Sequence, residues 1–238
     1  MRKVSIVAPA YNEAAGIQKV VEGWHDYLTQ QALIEDFEII ICNDGSIDAT
    51  GEILDNLAQR IPQLKPVHLP HNQGAGKALS TAIQHTTFSW VFLLDTDDQF
   101  PIEAITSMFD AAEQHQVKAV LSVRQKKDTW FARFGSWSSG KVCNWIYHCH
   151  IQDFNSACKL VEGGLIRSFR LEAKGMNYST EMTARIIESG APWVQLAVSH
   201  RERSSGQSNL KWFRDARNRL LFVVYLAMRQ YLFKRHIL

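Results

Sequence analysis

Short apolar runs alternate along this chain with stretches of helical spacing, and three of those runs end on polar, mostly acidic residues. The runs, rich in Val, Ile, Leu and Phe, fall at Lys3–Ala8, Phe37–Cys42, Pro66–Leu69, Ser89–Leu94 and Ala119–Val123. Each is too short for a helix and continuous enough for a strand buried on both faces. Between them Glu13–Gln31, Ile47–Arg60, Gly76–His85 and Ile102–His115 carry the helical period. Such alternation requires right-handed crossovers and a mostly parallel sheet flanked by helices, an α/β fold. A helix over Tyr178–Ser189 and a strand over Trp193–Val198 are expected to complete the sheet.

With 238 residues the chain can form one large domain with a buried core. Hydrophobic residues at 46% and charged residues at 21% exclude a disordered or low-complexity chain. Cys42, Cys143, Cys149 and Cys158 form no CxxC pair, and the N-terminus runs straight into an apolar strand without a signal peptide. Both point to a reducing cytoplasm. Adjacent His148, Cys149 and His150 are poorly spaced to wrap one tetrahedral zinc. From Lys211 onward seven Lys and Arg face one Asp, a net +6. Given +2 overall, residues 1–210 carry −4, so an acidic body bears a basic tail.

In a parallel sheet ligands collect beyond the carboxyl ends of the strands, so what each strand ends on matters. The first ends on Pro9-Ala10-Tyr11-Asn12-Glu13, the second on Asn43-Asp44-Gly45-Ser46, and the fourth on Asp95-Thr96-Asp97-Asp98-Gln99. Carboxylates at Asp95 and Asp97, one residue apart, can jointly face a hard cation such as Mg²⁺ or Mn²⁺, which keeps sites open for substrate phosphates. Alone, that pattern is equally a solvated acidic turn. Asn72-Gln73-Gly74-Ala75-Gly76-Lys77 leads into a helix whose N-terminal amides and Lys77 could face negative charge. Its glycine spacing is too short for a P-loop, and a plain loop-to-helix turn is the alternative. Asp44 and Gly45 suit a tight turn, with Asp48 placed to cap the following helix.

Taken together and in order, these motifs resemble the family 2 glycosyltransferases, and within them the dolichyl-phosphate mannose synthase-like group. The opening strand through Pro9, Tyr11, Asn12 and Glu13 is similar to that family's V-x-x-P-x-Y-N-E, and Asn43-Asp44-Gly45-Ser46-x-Asp48 to its D-D-G-S-x-D. The glycine turn and the run from Leu94 to Glu103 follow at similar spacing. Weaker similarity continues through Arg124, through Asp153-x-x-Ser156, through Glu181, and to Arg203-x-x-Gly206-x-Ser208. The resemblance implies an A-type nucleotide-diphospho-sugar transferase fold over residues 1–210. It implies an inverting, metal-dependent transfer from a nucleotide-diphosphate sugar (GDP-mannose or a UDP-hexose) to a polyprenyl phosphate.

Carried over by position, Pro9, Tyr11, Glu13, Asp44 and Lys77 would hold the donor, and Asp95 would sit near ribose and sugar. Asp97 and Gln99, with Asp95, would ligate Mg²⁺ or Mn²⁺. Arg124 and Arg203 would offset phosphate charge, a task suited to the planar guanidinium. Asp153, Ser156 and Glu181 would lie on the acceptor side, and the aromatic-rich stretch from Trp130 to Tyr147 reads as an acceptor-side or lid segment. Two departures stand out: Asn209 replaces the group's lysine, and Ala157-Cys158 replaces its Gly-Phe. A lipid phosphate needs no strong base to attack, whereas a saccharide hydroxyl, the alternative acceptor, would need one, with Asp153 or Glu181 as candidates.

Residues 211–238 have helical apolar spacing with Arg214, Arg217, Arg219 and Arg229 interleaved, an amphipathic basic C-terminal helix. Its longest uncharged run, Leu220 to Met228, is far short of the ~20 residues that span a bilayer. It is expected either to dock on the domain or to lie on an anionic membrane surface, making the protein peripheral on a cytoplasmic face or dependent on a membrane partner protein. A nucleotidyltransferase would open with G-x-G-x-R where Pro9 to Glu13 stand, and the acidic body argues against a nucleic-acid binder.

Overall fold

The structure, a computed structural model, describes residues 2–125, 140–175, 177–201 and 221–231. Among these, seven strands form one sheet: β1 (Arg2–Ala10), β2 (Ile34–Asn43), β3 (Leu64–His68), β4 (Trp90–Leu93), β5 (Ala119–Arg124), β6 (Lys159–Glu162) and β7 (Trp193–Val198). The order is β3-β2-β1-β4-β6-β5-β7. Helices are α1 (Ile17–Gln30), α2 (Thr50–Ala58), α3 (Ala75–Gln84), α4 (Ala104–His115), α5 (140–147), α6 (Gly163–Arg167), α7 (Tyr178–Glu188) and α8 (221–231).

The hydrophobic runs are central because both faces are covered. Ile6, Val7, Ile39, Ile40, Val91 and Phe92 are fully enclosed, and helices supply Val21, Leu54, Leu79, Ile105 and Phe109 against them. That burial is the main term holding the sheet, about 25 cal/mol for each Å² of apolar surface removed from water.

Element boundaries move where a local bond outranks periodicity. The first helix begins at Ile17 rather than Glu13, because Asn12 has φ 56 and the Glu13 carbonyl accepts the amides of Gly16 and Ile17. The cap expected at Asp48 falls one residue later, at Ala49, and Asp48 instead accepts the Thr50 amide at 3.0 Å from just outside the helix, satisfying the first amide of α2.

The largest addition is β6. It runs antiparallel between β4 and β5, pairing Leu93 with Lys159 and Leu121 with Lys159 on its two sides. This four-residue strand splits the sheet into a parallel half, β3-β2-β1-β4, and a second half, β6-β5-β7.

Candidate functional site

The strand ends meet as the parallel register requires. The Ala10 carbonyl accepts the Asp44 amide at 2.8 Å, and Thr96 Oγ1 donates to the Pro9 carbonyl at 3.3 Å, bringing together the ends of β1, β2 and β4. The loops after β1 and β2 are stitched by four bonds. The Asn12 amide donates to Ser46 Oγ, the Ile47 amide to Asn12 Oδ1, the Glu13 amide to Thr50 Oγ1 and the Ala14 amide to Asp48 Oδ2. Pro9, Tyr11, Glu13 and Asp44 therefore share one ledge.

Asp44 is 1% exposed, and its carboxylate accepts the amides of Gln73 at 2.7 Å and Gly74 at 2.8 Å. The negative charge at the start of α3 is thus internal. The Gly76 amide donates to the Lys174 carbonyl at 2.9 Å. The amides of Gln73, Gly74 and Gly76 are thus bonded within the protein, and the negative charge that the first two face is that of Asp44. The glycines serve packing: a Cβ on Gly76 would stand 1.8 Å from the Ala173 carbonyl oxygen, and Gly74 has φ +97. Lys77, in the first turn of α3, remains exposed beside this ledge.

At the end of β4 the backbone turns sharply, with Asp98 at φ 58. Asp97 is 7% exposed and its Oδ1 accepts the Gln99 amide at 3.1 Å. Asp95 Oδ1 accepts the Tyr178 hydroxyl at 2.6 Å. Burial first, then the charges of Asp95 and Asp97, hold that hydroxyl protonated far above its usual range. Tyr178, which sequence reasoning missed, fixes one Asp95 oxygen as a permanent acceptor. Nothing in its neighbourhood in sequence signalled this, since the contact spans 83 residues.

Asp95, Asp97 and Gln99 offer the oxygen donors that a divalent cation of the Mg²⁺ or Mn²⁺ kind takes, with no thiolate or imidazole among them. No cage of three or more His, Cys, Asp or Glu side chains exists among the described residues.

On the other half of the sheet Arg124, at the end of β5, is gripped by Asp153 through two bonds, Nε to Oδ2 at 2.7 Å and Nη2 to Oδ1 at 3.1 Å. The fork geometry fixes the guanidinium plane. Ser156 is 1% exposed and shares a short hydroxyl bond with Ser122, so its side chain faces the interior. Glu181 is also enclosed: its oxygens accept the amides of Glu172 and Ala173 and the guanidinium of Arg185, with Arg229 of α8 at 3.5 Å. Sequence reasoning grouped Asp153, Ser156 and Glu181 on the acceptor side. Of the three, Ser156 and Glu181 point into the protein, where the buried bonds of the surrounding loops hold them. Arg203 lies outside the described residues, as do Lys211 and Asn209.

A hollow of about 360 Å³ is lined by Pro101, Ser107 and Arg201, and another of about 490 Å³ by Gln84, Arg167 and Arg170 at the far end of α3 from the glycine turn. Neither is lined by Asp44, Asp95 or Asp97.

Against known proteins, residues 5–157 match the model of glycosyl transferase family 2. The chain is 28% identical over 212 residues to the undecaprenyl-phosphate 4-deoxy-4-formamido-L-arabinose transferase of Edwardsiella ictaluri, covering 86% of this chain and 62% of that protein. It is 30% identical over 148 residues to the bactoprenol glucosyl transferase of Shigella phage SfX, covering 62% of this chain and 46% of that one. The chain thus spans less than two thirds of the length of these relatives. Among solved structures, glucosyl-3-phosphoglycerate synthase from Mycobacterium tuberculosis with Mn²⁺, UDP-glucose and phosphoglyceric acid superposes with a TM-score of 0.74 at 16% identity, over 95% of this chain and 80% of that one. The architecture is the A-type nucleotide-diphospho-sugar transferase fold that the ordered motifs imply.

Proposed function

Because the chain belongs to glycosyl transferase family 2, we propose that it transfers a sugar from a nucleotide-diphosphate sugar to a polyprenyl phosphate at a membrane surface, with inversion at the anomeric carbon. The names of its relatives, a bactoprenol glucosyl transferase and an undecaprenyl-phosphate arabinose-derivative transferase among them, support this acceptor class.

One observation favours an ionised acceptor over a hydroxyl. The two carboxylates named as candidate bases for a hydroxyl are committed, Asp153 to Arg124 and Glu181 to the 172–173 amides and Arg185. A phosphate monoester already carries its nucleophilic oxygen as an anion near neutral pH and requires no such base.

In this reading Pro9, Tyr11, Glu13 and Asp44 frame the nucleoside, Asp44 by holding the 73–74 backbone in place as a wall. Lys77 lies on the phosphate side. Asp95, Asp97 and Gln99 would hold Mg²⁺ or Mn²⁺, which when bound supplies positive charge to the departing diphosphate. Tyr178 keeps Asp95 from rotating by donating to Oδ1. Arg124, aimed by Asp153, meets the acceptor phosphate, and Arg203 adds a second guanidinium. Donors fixed in place in this way cost no reorganisation when charge develops.

The C-terminal helix brings the site to lipid. No helix among the described residues is long and apolar enough to cross a membrane. Val223 and Leu226 of α8 pack into the core, while Leu221, Val224, Met228 and Tyr231 stay exposed along its outer side. Arg229 points inward to Glu188 at 2.6 Å, so this cation, counted above among the headgroup-facing charges, secures the helix to the domain. The outer apolar stripe and the remaining basic residues of 211–238 are suited to an anionic surface on the cytoplasmic side. The two modes expected of this helix, docking and lipid contact, are compatible because they use different faces.

The test is to incubate the protein with Mn²⁺ or Mg²⁺, a short polyprenyl phosphate and a panel of UDP- and GDP-sugars, and to follow nucleotide diphosphate release and lipid-linked product. Metal-dependent product that falls by about 10²-fold or more in Asp97→Ala is the expected result. Transfer to a soluble saccharide with none to the lipid would replace the acceptor assigned here.

A further inference from the structure

One histidine ties the end of β3 to the nucleotide ledge. His68 stands opposite Asn43 in the β2–β3 register, and its ring is bonded on both sides. Its Nε2 lies 3.0 Å from Asp55 Oδ1 of α2, and its Nδ1 lies 3.1 Å from Asn43 Nδ2. Asn43 is 6% exposed, and its Oδ1 accepts the Ser46 amide at 3.0 Å. Ser46 Oγ in turn accepts the Asn12 amide. A chain of bonds therefore runs from α2 through His68 and Asn43 to the turn that carries Asp44, and on to the loop after β1.

These bonds admit one protonation state of the ring. The Ser46 amide can only donate, so its contact fixes which Asn43 atom is Oδ1 and turns Nδ2, a pure donor, toward His68. His68 Nδ1 must therefore accept, and Nε2 carries the proton that Asp55 takes. A second proton, on Nδ1, would set two donors face to face. Rotating the Asn43 amide to meet it would instead turn Nδ2 onto the Ser46 amide, again two donors. Either way a bond is lost at a buried side chain, where water does not replace it. Asn43 is also closed in on the α2 side, since even a Cβ on Gly51 would stand 2.8 Å from Nδ2.

The charged side chain set against the ring is Asp55. Glu52 of α2 and His71 of the following loop are exposed and form no bond to it, and Lys65 of β3 pairs with Glu38. Asp44 and Asp48, on the neighbouring turn, are taken up by the amides of Gln73, Gly74, Thr50 and Ala14. Among the described residues the His68 side chain has no hydrogen bond or ion pair beyond those to Asp55 and Asn43. Where Asn43 stands, the family motif quoted above has Asp. A carboxylate there would accept from Ser46 and from a protonated Nδ1 alike, so it is the amide of Asn43 that makes only the neutral ring fit.

We propose that His68 is a positioning residue for the nucleotide site and makes nucleotide affinity depend on pH. Neutral, it holds Asn43 and the 43–46 turn in place; doubly protonated, it releases them. Affinity therefore falls as pH falls, and nucleotide binding expels a proton from the ring. This rests on the nucleoside-framing role given to the Asp44 turn under the proposed function, and adds to it a residue that no strand-end motif contains.

The experiment compares wild type, His68→Gln and Asn43→Asp. Binding of UDP and of GDP with Mn²⁺ is measured at about pH 8 and about pH 5.5, a span over which histidine side chains change charge. Protection of the Ser46 amide against hydrogen exchange is followed by NMR without nucleotide. The phosphates of the ligand titrate equally for all three proteins, so the comparison between them isolates the ring. Wild type should lose about fivefold more affinity toward acid than His68→Gln does, the effect of one hydrogen bond. Asn43→Asp should lose no more than His68→Gln, and Ser46 protection should fall toward acid in wild type alone. Adding nucleotide should keep the wild-type ring neutral to lower pH, as linkage requires. Parallel pH profiles in all three proteins, or Ser46 protection in wild type that does not change with pH, would overturn the proposal. Wild type that binds neither nucleotide at either pH defeats the reading of the ledge instead, while Ser46 protection still decides whether His68 governs the turn.

Discussion

The two halves of the sheet solve the same problem, holding polar groups at strand ends, by different means. In the β3-β2-β1-β4 half the side chains bond to backbone: Asp44 to the amides of Gln73 and Gly74, Asp48 to those of Thr50 and Ala14, Asp97 to that of Gln99. In the β6-β5-β7 half and its helices, side chains that take backbone amides, Glu181 and Asp153, are also tied into ion pairs between separate elements: Arg124 to Asp153, Arg229 to Glu188 and Glu181, Arg185 to Glu172. Backbone amides are fixed wherever the strand ends, so a carboxylate at the right spacing finds them. Ion pairs between distant elements form only once the elements are packed.

That contrast makes the second half more sensitive to loss of one partner. Arg229→Ala leaves Glu188 and the fully enclosed Glu181 short of compensation, and should cost about 3 kcal/mol, read by urea denaturation. Hydrogen exchange should show α8 opening while β1 and β2 stay protected. Equal loss of protection in both halves would break the distinction.

Where the halves touch, the glycine turn abuts residues 173–174. Gly76→Ala places a methyl group 1.8 Å from the Ala173 carbonyl oxygen, which cannot retreat while Glu181 holds the Ala173 amide. About 2 kcal/mol of stability should be lost, with weakened nucleotide binding because the wall held by Asp44 moves. Stability lost with nucleotide affinity intact would mean that the wall and the glycine turn are independent.

Tyr178→Phe removes the second link, the hydroxyl on Asp95 Oδ1. Transfer should fall about tenfold with little change in melting temperature, since one hydrogen bond to a charged group is lost from a partly buried pair. A change confined to stability would make Tyr178 a packing residue only.

The smallest effect concerns Glu38, 2% exposed and toward the opposite end of β2 from Asp44. Burial raises its pKa, but hydrogen bonds from Lys65, Ser5 and Thr87 outweigh that and leave it below the usual glutamate range. A depressed folded-state pKa means that the stabilisation is present above the unfolded value and is lost as pH falls through the folded one. Glu38→Gln should therefore lower stability by about 1 kcal/mol at neutral pH and flatten the acid limb of the stability profile. An unchanged acid limb would show that other carboxylates govern it.

The parallel half was legible because its information is local. Strands expected at Lys3–Ala8 and Phe37–Cys42 appear as Arg2–Ala10 and Ile34–Asn43, and the polar residues that follow them meet at one edge. The antiparallel strand was not read. Lys159–Glu162 is four residues long with one charge in an apolar run, a pattern that periodicity cannot separate from a loop. The lysine inside Ala157-Cys158-Lys159-Leu160-Val161 was nonetheless a visible signal, a charge in a segment too apolar to leave it in water.

The sequence by itself determined the α/β alternation, the order of the strand-end motifs and the family, because hydrophobic period and turn chemistry act over a few residues. Tertiary structure decided which groups face one another: that the glycine turn packs on 173–174, that Glu181 is enclosed, that Arg229 turns inward, and that Lys159 is buried against the Ser156 carbonyl. Those contacts depend on where a four-residue antiparallel strand and two docked helices come to rest, which is settled by burial and charge pairing between separate elements and by no spacing within any one segment.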